Sequence, residues 1–300
     1  MGNPAATRFP RGVINPRILA RASLADGSGC ACPMHWQELM SEIIRMGAVS
    51  YAPKVVTIWE GFKVYLKERG FNFDYVLFSN YEAQVEAQMR GDLDFAWNSP
   101  LAFVRANRMA RSQGKQVEAI VMRDTDTDLQ SVLVVPTGSG IQAVDDLRGK
   151  TIGFGAIDSP QATLIPLDHL RQHGLVQGTD YTAKLFDVLG GKHGDHIGGE
   201  RDAAEAMAKG EIDAAWMISG NYQAFAQEGT LAAGSTRIVA TTGEFDHCNR
   251  TTAPGLDPAL AKRFADLLLG MSWDDPEVRP LLELEGLKVW HPGRTSGYAL

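Results

Sequence analysis

Leu147-Arg-Gly-Lys-Thr-Ile-Gly-Phe-Gly-Ala156, followed at once by Ile157-Asp-Ser-Pro-Gln-Ala-Thr163, is the stretch of the sequence that indicates the fold. Its first part predicts a tight turn and then a short buried strand over residues 151–156, because small and apolar residues alternate there. Its second part predicts a helix, since Ser159 suits the N-cap and Pro160 suits the first helical position. Such a helix directs free backbone N–H groups and the positive end of its dipole at the space above the strand. The stretch therefore predicts a binding position for an oxyanion.

The composition of the 300-residue chain is typical of a globular protein with a full core, with 44% hydrophobic and 22% charged residues. A formal net charge of −7 argues against a nucleic-acid partner, which would require a basic face. The three cysteines do not make a disulfide framework. No apolar run approaches the roughly 18 residues of a membrane span, so we expect no transmembrane segment. A small anionic ligand remains compatible with this charge.

The N-terminal segment, residues 1–42, is predicted to be a disordered or non-native arm. Residues 1–22 contain four arginines and no acidic residue, but no apolar run long enough for a secretory signal. A targeting peptide is the alternative that this arginine-rich composition leaves open. Without a visible export signal, the sequence as written predicts a cytoplasmic protein.

From residue 43 onward, segments with the pattern of strands alternate with segments of helical pattern. This alternation predicts α/β lobes with parallel, doubly wound sheets. It occurs in two blocks, so we predict two lobes joined by a two-strand hinge, lobe 1 comprising residues 43–130 and 240–300 and lobe 2 residues 131–239. Because ligands bind beyond the carboxyl ends of strands in such sheets, the predicted site is the cleft between the lobes, and hinge closure is the expected motion.

Four segments carry a resemblance to a known family: Gly47-Ala-Val-Ser-Tyr51, Met89-Arg-Gly-Asp-Leu-Asp-Phe-Ala-Trp97, Asp146-Leu-Arg-Gly-Lys-Thr-Ile-Gly-Phe154 and Ala206-Met-Ala-Lys-Gly-Glu-Ile-Asp-Ala-Ala215. Over residues 46–293 the chain resembles the phosphate/phosphite/phosphonate substrate-binding proteins of ABC transporters, which have the periplasmic binding protein type II fold. The resemblance implies capture of a small phosphonate-like or phosphate-like oxyanion for uptake through an ABC permease. It also implies a periplasmic or membrane-anchored location, in contrast with the N-terminal composition. We expect a monomer.

The resemblance further implies that the ligand oxyanion is held by residues matching Tyr51, Ser99, Ser159 and Thr163. Two of these residues have a structural alternative. Tyr51 can instead cap the core, and Ser99 can serve only as a helix N-cap. The predicted ligand-binding set is completed by Asn98, Ser219, His193, His196 and His247.

Two histidine-bearing segments, Gly190–Gly199 and Asp246–Asn249, are the most unusual local features of the sequence. Their side chains can donate to an anion, and with Asp213 they are candidates for contacting the rest of the ligand. By ligand type, His193, His196, His247 and Cys248 offer an alternative zinc or iron site. None of these residues has the close spacing of established metal motifs, so the prediction is a site without metal or cofactor.

Other residues are interpreted structurally. Trp59, Phe62, Trp97 and Trp216 are predicted to lie in the core, and the aspartate-rich loop 124–128 is predicted to be a solvated turn. The leading hypothesis is a non-enzymatic binding protein. A cytoplasmic enzyme on the same scaffold, of decarboxylase or cofactor-biosynthesis type and possibly metal-dependent, is the alternative, because fold does not dictate function. A cytoplasmic ligand sensor is a third hypothesis.

Overall fold

The strands of the protein form two sheets, one in each lobe. A computed structural model describes residues 43–50, 53–187 and 196–298, with residues 196–198 described as helical backbone only. In chain order the strands are β1 (Ile44–Val49), β2 (Phe73–Phe78), β3 (Phe95–Asn98), β4 (Ala119–Arg123), β5 (Ser131–Pro136), β6 (Thr151–Phe154), β7 (Thr182–Leu185), β8 (Ala214–Ile218), β9 (Thr236–Thr241), β10 (Asn249–Thr252) and β11 (Trp290–Pro292).

Helices connect most of these strands, as the alternation of apolar patterns predicts. The α-helices are α1 (Lys54–Glu68), α2 (Tyr81–Arg90), α3 (Pro100–Ser112), α4 (Ile165–Gln172), α5 (His196–Ala208), α6 (Ser219–Gln227), α7 (Pro258–Leu269) and α8 (Arg279–Glu285). A π-helical turn, Pro160–Leu164, leads directly into α4. Within the described ranges, no helix combines the length and apolar character needed to cross a bilayer.

Each sheet is parallel on one side and antiparallel on the other. The lobe 1 sheet has the order β11-β4-β10-β3-β1-β2, in which β1 pairs parallel with β2 and β3 while β10 pairs antiparallel with β3 and β4. The lobe 2 sheet has the order β7-β6-β8-β5-β9, in which β6 pairs parallel with β7 and β8 while β5 pairs antiparallel with β8 and β9. The α/β class with two lobes is confirmed.

The sheets are mixed rather than parallel throughout, and the chain crossings explain why. The chain leaves the lobe 1 sheet after β4 and enters the lobe 2 sheet with β5, then returns from β9 to β10. The strands that follow the crossings, β5 and β10, each lie between two strands that a helix connects, and they run antiparallel to both neighbours. Strand β10 is absent from the prediction because its residues, Asn249–Thr252, are polar although all are buried.

The two crossings form the hinge. Leu129 and Phe245 make an antiparallel bridge, in which each backbone N–H donates to the other residue's carbonyl oxygen at 2.8 Å. A hinge of two paired segments lets the lobes rotate while the pairing persists. The predicted two-strand hinge is thus present at the crossings.

The cores of the lobes contain the aromatic residues assigned to them from the sequence. Trp59, Phe62 and Trp97 are 1–5% exposed in lobe 1, and Trp216 is fully buried in lobe 2. The aspartate loop is an exception to the predictions, because Asp126 is buried rather than solvated. Its carboxylate belongs to an ion-pair cluster at the hinge, described below.

The opening stretch of the sequence forms the predicted turn, strand and helix start. Gly149 has a φ of +75°, a conformation that favours glycine, and β6 follows it. After the strand, Gly155 lies against the helical turn so closely that a Cβ there would come within 2.7 Å of the Ala162 Cβ. This contact positions the helix start directly over the carboxyl end of β6.

Candidate functional site

The candidate site lies where helical turns begin after the carboxyl ends of strands in both lobes. In lobe 1, α3 begins at Pro100, immediately after β3. In lobe 2, the π-helical turn begins at Pro160, after β6, and α6 begins at Ser219, after β8. The first N–H groups of a helix have no intrahelical acceptor and are the natural donors to an anion. Both lobes therefore present helix starts to this region.

Ser99 caps the helix start of lobe 1. Its Oγ accepts a hydrogen bond from the Ala102 N–H at 3.3 Å, and its carbonyl oxygen accepts from the Phe103 N–H at 2.9 Å. The side chain is half-buried, with Pro100 at the first helical position. Ser99 is an N-cap, as its position predicts, and its ligand contact stays a prediction.

Ser159 and Thr163 are held inside the helix start of lobe 2. The Oγ of Ser159 accepts from the Ala162 N–H at 3.2 Å, which confirms the predicted N-cap. The Thr163 hydroxyl donates to the Ala156 carbonyl oxygen at 2.7 Å. Both side chains are at most 1% exposed. In this conformation the two hydroxyls order the turn. The N–H groups of Ala162, Thr163 and Leu164 donate to Ser159, which leaves the Gln161 N–H, among the described contacts of the turn, as the donor that a ligand could take.

Asn98 belongs to a buried amide network in lobe 1. Its Oδ1 accepts from Gln84 Nε2 at 2.8 Å, and its Nδ2 donates to Gln88 Oε1 at 3.3 Å. Gln84 also donates to the Trp97 carbonyl oxygen at 2.8 Å. All three amides are fully buried. The network fixes the end of β3 and thereby the start of α3.

A buried carboxylate that the sequence interpretation missed orders the start of α6. Glu200 accepts hydrogen bonds from the Ile218 N–H at 3.0 Å and from Asn221 Nδ2 at 2.7 Å. Ser219, predicted as a ligand contact, follows Ile218, and its N–H donates to the Gln130 carbonyl oxygen at 2.9 Å. The sequence signal for the close packing that places Glu200 is the preceding residue, Gly199. A Cβ at that position would come within 2.3 Å of the Phe186 carbonyl oxygen. Glycine there lets α5 approach the strand ends.

Three predicted site residues cannot be placed. Tyr51 and His193 lie outside the described residues, and His196 is described only as the first backbone position of α5. One further prediction is wrong: the Asp213 carboxylate accepts from the Thr151 N–H at 2.8 Å, at the amino end of β6. Asp213 therefore lies at the opposite end of the sheet from the helix starts.

A cavity of about 540 Å³ separates the two helix starts. Pro100 and Leu101 line it from lobe 1, and Pro160 and Leu164 line it from lobe 2. The hinge contributes Phe245 and neighbouring residues to its wall. The helix starts of both lobes and the hinge thus enclose one interlobe space of the size typical for small-molecule sites.

Asp246 lines this cavity, and the two residues that follow it, His247 and Cys248, form a cluster with Asp126 and Arg123. The Arg123 guanidinium contacts both carboxylate oxygens of Asp126, at 2.5 and 3.0 Å. His247 Nδ1 lies 3.3 Å from Asp126 Oδ1 and 3.1 Å from Cys248 Sγ. Burial alone raises the pKa of Asp126, but the charge of Arg123 outweighs it and holds that pKa well below its usual range. Burial alone lowers the pKa of His247, but Cys248 and Asp126 raise it to about 10.

The residue types of this cluster suggest two alternatives, a metal site and a Cys-His-Asp relay. Metal-ligating atoms of Asp126, His247 and Cys248 lie within 4.8 Å of one another. A cation does not fit there, because Arg123 already occupies both oxygens of Asp126 and neutralises it. A Cys-His-Asp relay needs the thiol and the carboxylate on opposite ring nitrogens, whereas both lie on Nδ1 of His247. The geometry instead makes an ion-pair cluster that joins the two hinge segments.

The raised pKa of His247 predicts a stability change at alkaline pH. A group with a raised folded-state pKa contributes its full stabilisation below the unfolded value, near 6.5, and loses it as the pH approaches the folded value, here about 10. We expect thermal unfolding at pH 6.5 and 9.5 to show that His247→Gln loses about 3–4 kcal/mol less stability than the wild type across this interval. His291→Gln, which changes an exposed histidine, is the control. Parallel pH profiles for wild type and His247→Gln would contradict the assignment.

Comparison with known proteins places this geometry in a family. The family model described as "ABC transporter, phosphonate, periplasmic substrate-binding protein" matches residues 46–298. Among solved structures, PhnD1 from Prochlorococcus marinus (MIT 9301), in complex with methylphosphonate, is 17% identical with a TM-score of 0.60, covering 86% of this chain and 94% of that one. A Xanthomonas citri protein bound to ATP is 17% identical with a TM-score of 0.61, covering 81% and 88%.

A third similar structure is a binding-protein component of an ABC phosphonate transporter from Pseudomonas aeruginosa. It is 14% identical with a TM-score of 0.56, covering 83% of this chain and 81% of that one. At these identities the structural likeness establishes the fold, and the family match rests on the sequence over most of the chain. The chain, with two lobes around a cleft of opposed helix starts, belongs to the family of periplasmic substrate-binding proteins of phosphonate ABC transporters.

Proposed function

We propose that the protein captures a small phosphonate-like or phosphate-like oxyanion in the interlobe cleft and delivers it to an ABC permease. The observation that carries this proposal is the convergence of two capped helix starts, at Pro100 in lobe 1 and Pro160 in lobe 2, on one cavity. Each start supplies N–H groups and a positive dipole end. An anion bound between them interacts with both lobes at once and so stabilises the closed form.

Further contacts are proposed from the sequence resemblance. Tyr51, Ser99, Ser159 and Thr163 are the residues that match the family's oxyanion contacts. Asn98, Ser219, His193, His196 and His247 complete the proposed set. The hydroxyls of Ser159 and Thr163 act in this proposal by ordering the N–H groups of the turn, since both are engaged with backbone partners.

The ligands of two similar structures support an oxyanion of phosphorus. The Prochlorococcus marinus protein was solved with methylphosphonate and the Xanthomonas citri protein with ATP. Both ligands present phosphorus-bound oxygens, which suit backbone donors at helix starts. We propose that this chain works as a monomer in the periplasm, that the hinge closes over the ligand, and that binding requires no metal or cofactor.

A ligand panel tests the proposal. Thermal unfolding of the full chain is measured with phosphate, phosphite, methylphosphonate, sulfonates and carboxylates, each with and without a chelator. A ligand at 100 times its Kd is expected to stabilise the native state by about 2.7 kcal/mol. We expect a phosphorus oxyanion to give this shift regardless of chelator. A shift only with zinc or iron, abolished by the chelator, or no response to any phosphorus oxyanion, would overturn it.

A further inference from the structure

Two histidines lie one turn apart at the end of α4. The segment His169-Leu-Arg-Gln-His173 has the i, i+4 spacing that puts two side chains on one face of a helix. The two imidazole rings meet on that face, with their centroids 4.4 Å apart and their planes inclined by 35°. His169 lines the interlobe cavity, and His173 is exposed at the C-cap of the helix. The pair belongs to neither of the helix starts that the proposed function uses.

The hydrogen bond of His173 determines which of its ring nitrogens is free. Its Nδ1 lies 2.8 Å from the His169 carbonyl oxygen. Because a carbonyl oxygen only accepts, this Nδ1 carries the proton, and the neutral ring keeps an unprotonated Nε2 with an available lone pair. A ring whose other nitrogen donates to a backbone carbonyl is the usual arrangement of a metal-ligating histidine.

The ring of His169 is oriented by packing rather than by a hydrogen bond. It makes a T-shaped contact with Trp216, with the centroids 5.5 Å apart. Among the residues that the structure describes, none hydrogen-bonds its ring nitrogens. Burial, and then the neighbouring His173, lower the pKa of His169, so its imidazole is neutral at pH 7. A cation can therefore bind this ring without displacing a proton.

The charged side chains around the pair are already matched with one another. Asp168 accepts from Arg171 Nη2 at 2.6 Å and from Gln172 Nε2 at 2.6 Å. On the hinge side of the cavity, Asp246 accepts from Arg294 Nη2 at 2.6 Å. The guanidinium groups are thus neutralised and do not repel a cation, while these two carboxylates are occupied and do not serve as further ligands.

We propose that His169 and His173 together bind a divalent transition-metal ion, with Cu²⁺ preferred over Ni²⁺ and Zn²⁺. The rings supply two nitrogen ligands. Water completes the coordination, because the described residues place no third histidine, cysteine or carboxylate within reach of both rings. Mg²⁺ and Ca²⁺ are not expected to bind, since they require oxygen ligands. The inference goes beyond the proposed function, because capture of the oxyanion does not depend on it.

Isothermal titration of the full chain with NiCl₂ and CuCl₂ tests the proposal. A Cys30→Ser/Cys32→Ser background is used, because the thiolates of these two residues compete for the same cations. In this background His173→Gln is expected to weaken the binding of one equivalent of either ion by at least about tenfold, since a single imidazole loses the gain from simultaneous binding. His169→Gln is expected to weaken the same equivalent. Binding is also expected to weaken at pH 5.5, because protons compete for the ring nitrogens.

His291→Gln in the same background is the matched control, since it removes an exposed histidine on β11 and leaves the pair intact. Without metal, His173→Gln and His291→Gln are expected to unfold within a few degrees of each other, because both histidines are exposed. If His173→Gln binds both ions as His291→Gln does, the rings are only a stacked surface pair and the proposal is wrong. A loss in His173→Gln that His169→Gln does not share would also overturn it. Neither result bears on the binding of phosphonates.

Discussion

The variant Ser99→Asp is expected to lose oxyanion binding by roughly 150-fold while keeping the fold and the helix cap. Asp caps helices as well as Ser does, and the half-buried position at the start of α3 can accept the Ala102 N–H in the same way. The added carboxylate places a negative charge at the proposed anion position. At about 5 Å and an effective dielectric constant of about 20, the repulsion amounts to about 3 kcal/mol.

Ser99→Asn is the matched control, because Asn is a good N-cap of nearly the same shape as Asp and carries no charge. We expect its Kd for methylphosphonate to stay within about fivefold of the wild-type value, and both variants to unfold within a few degrees of the wild type. Isothermal titration supplies the affinities and thermal unfolding supplies the check on the fold. If Ser99→Asp binds methylphosphonate as tightly as Ser99→Asn, the helix start of α3 is not the oxyanion position.

The largest stability effect is expected at Arg250, which lies on β10 in the core of lobe 1. Its guanidinium is fully buried among aromatic rings, 3.8 Å from the Trp97 centroid, 4.6 Å from that of Trp59 and 4.8 Å from that of Trp290. Its ion-pair partner is Glu285, with Nη2 and Oε1 at 3.5 Å. Burial lowers the pKa of Arg250 to about 10. Cation–π contacts and one carboxylate thus hold a charge that the core otherwise disfavours.

Arg250→Met is expected to destabilise the protein by about 3–5 kcal/mol, because it strands the buried Glu285 carboxylate without a partner. The double variant Arg250→Met/Glu285→Gln is expected to recover at least half of that loss, since no uncompensated charge remains. Urea unfolding of the wild type, Arg250→Met, Glu285→Gln and the double variant measures the coupling free energy between the two side chains.

Arg263→Met is the control for the Arg250 experiment. Arg263 is exposed on α7 and lies 5.5 Å from the Phe71 centroid, so its loss is expected to cost less than about 1 kcal/mol. A double variant as unstable as Arg250→Met would show that the loss comes from packing within the aromatic cage rather than from the stranded carboxylate. Wild-type stability in Arg250→Met would show that the ion pair contributes nothing net.

The elements that the sequence predicted are those specified by local chemistry. The signals that define helix α2 are local, because Asn80 caps it and Gly91, with a φ of +82°, ends it. The caps at Ser99 and Ser159 could likewise be predicted, because a Ser followed by Pro at the end of a strand is typical of a helix N-cap. These features are encoded within a few residues.

The elements that escaped prediction depend on partners far away in the chain. Strand β10 has no apolar alternation, and it is a strand because it completes the sheet between β3 and β4. Asp126 has the sequence context of a solvated turn, yet it is buried because Arg123 and the returning hinge segment at His247 enclose it. Glu200 is placed at the start of α6 by tertiary contact alone.

The α/β class and the two lobes could be predicted from the sequence, because strand-helix alternation, capping and turn residues are local patterns. The family came from the resemblance of the sequence to known members over most of the chain. Which polar side chains remain available to a ligand depends on the folded structure. Asn98, Ser159 and Thr163 have the right residue types, but their partners come from other turns and strands, so their engagement appears only once the chain is folded. The cavity that Leu101 and Leu164 line likewise exists only where the lobes face each other, because the two residues come from separate lobes.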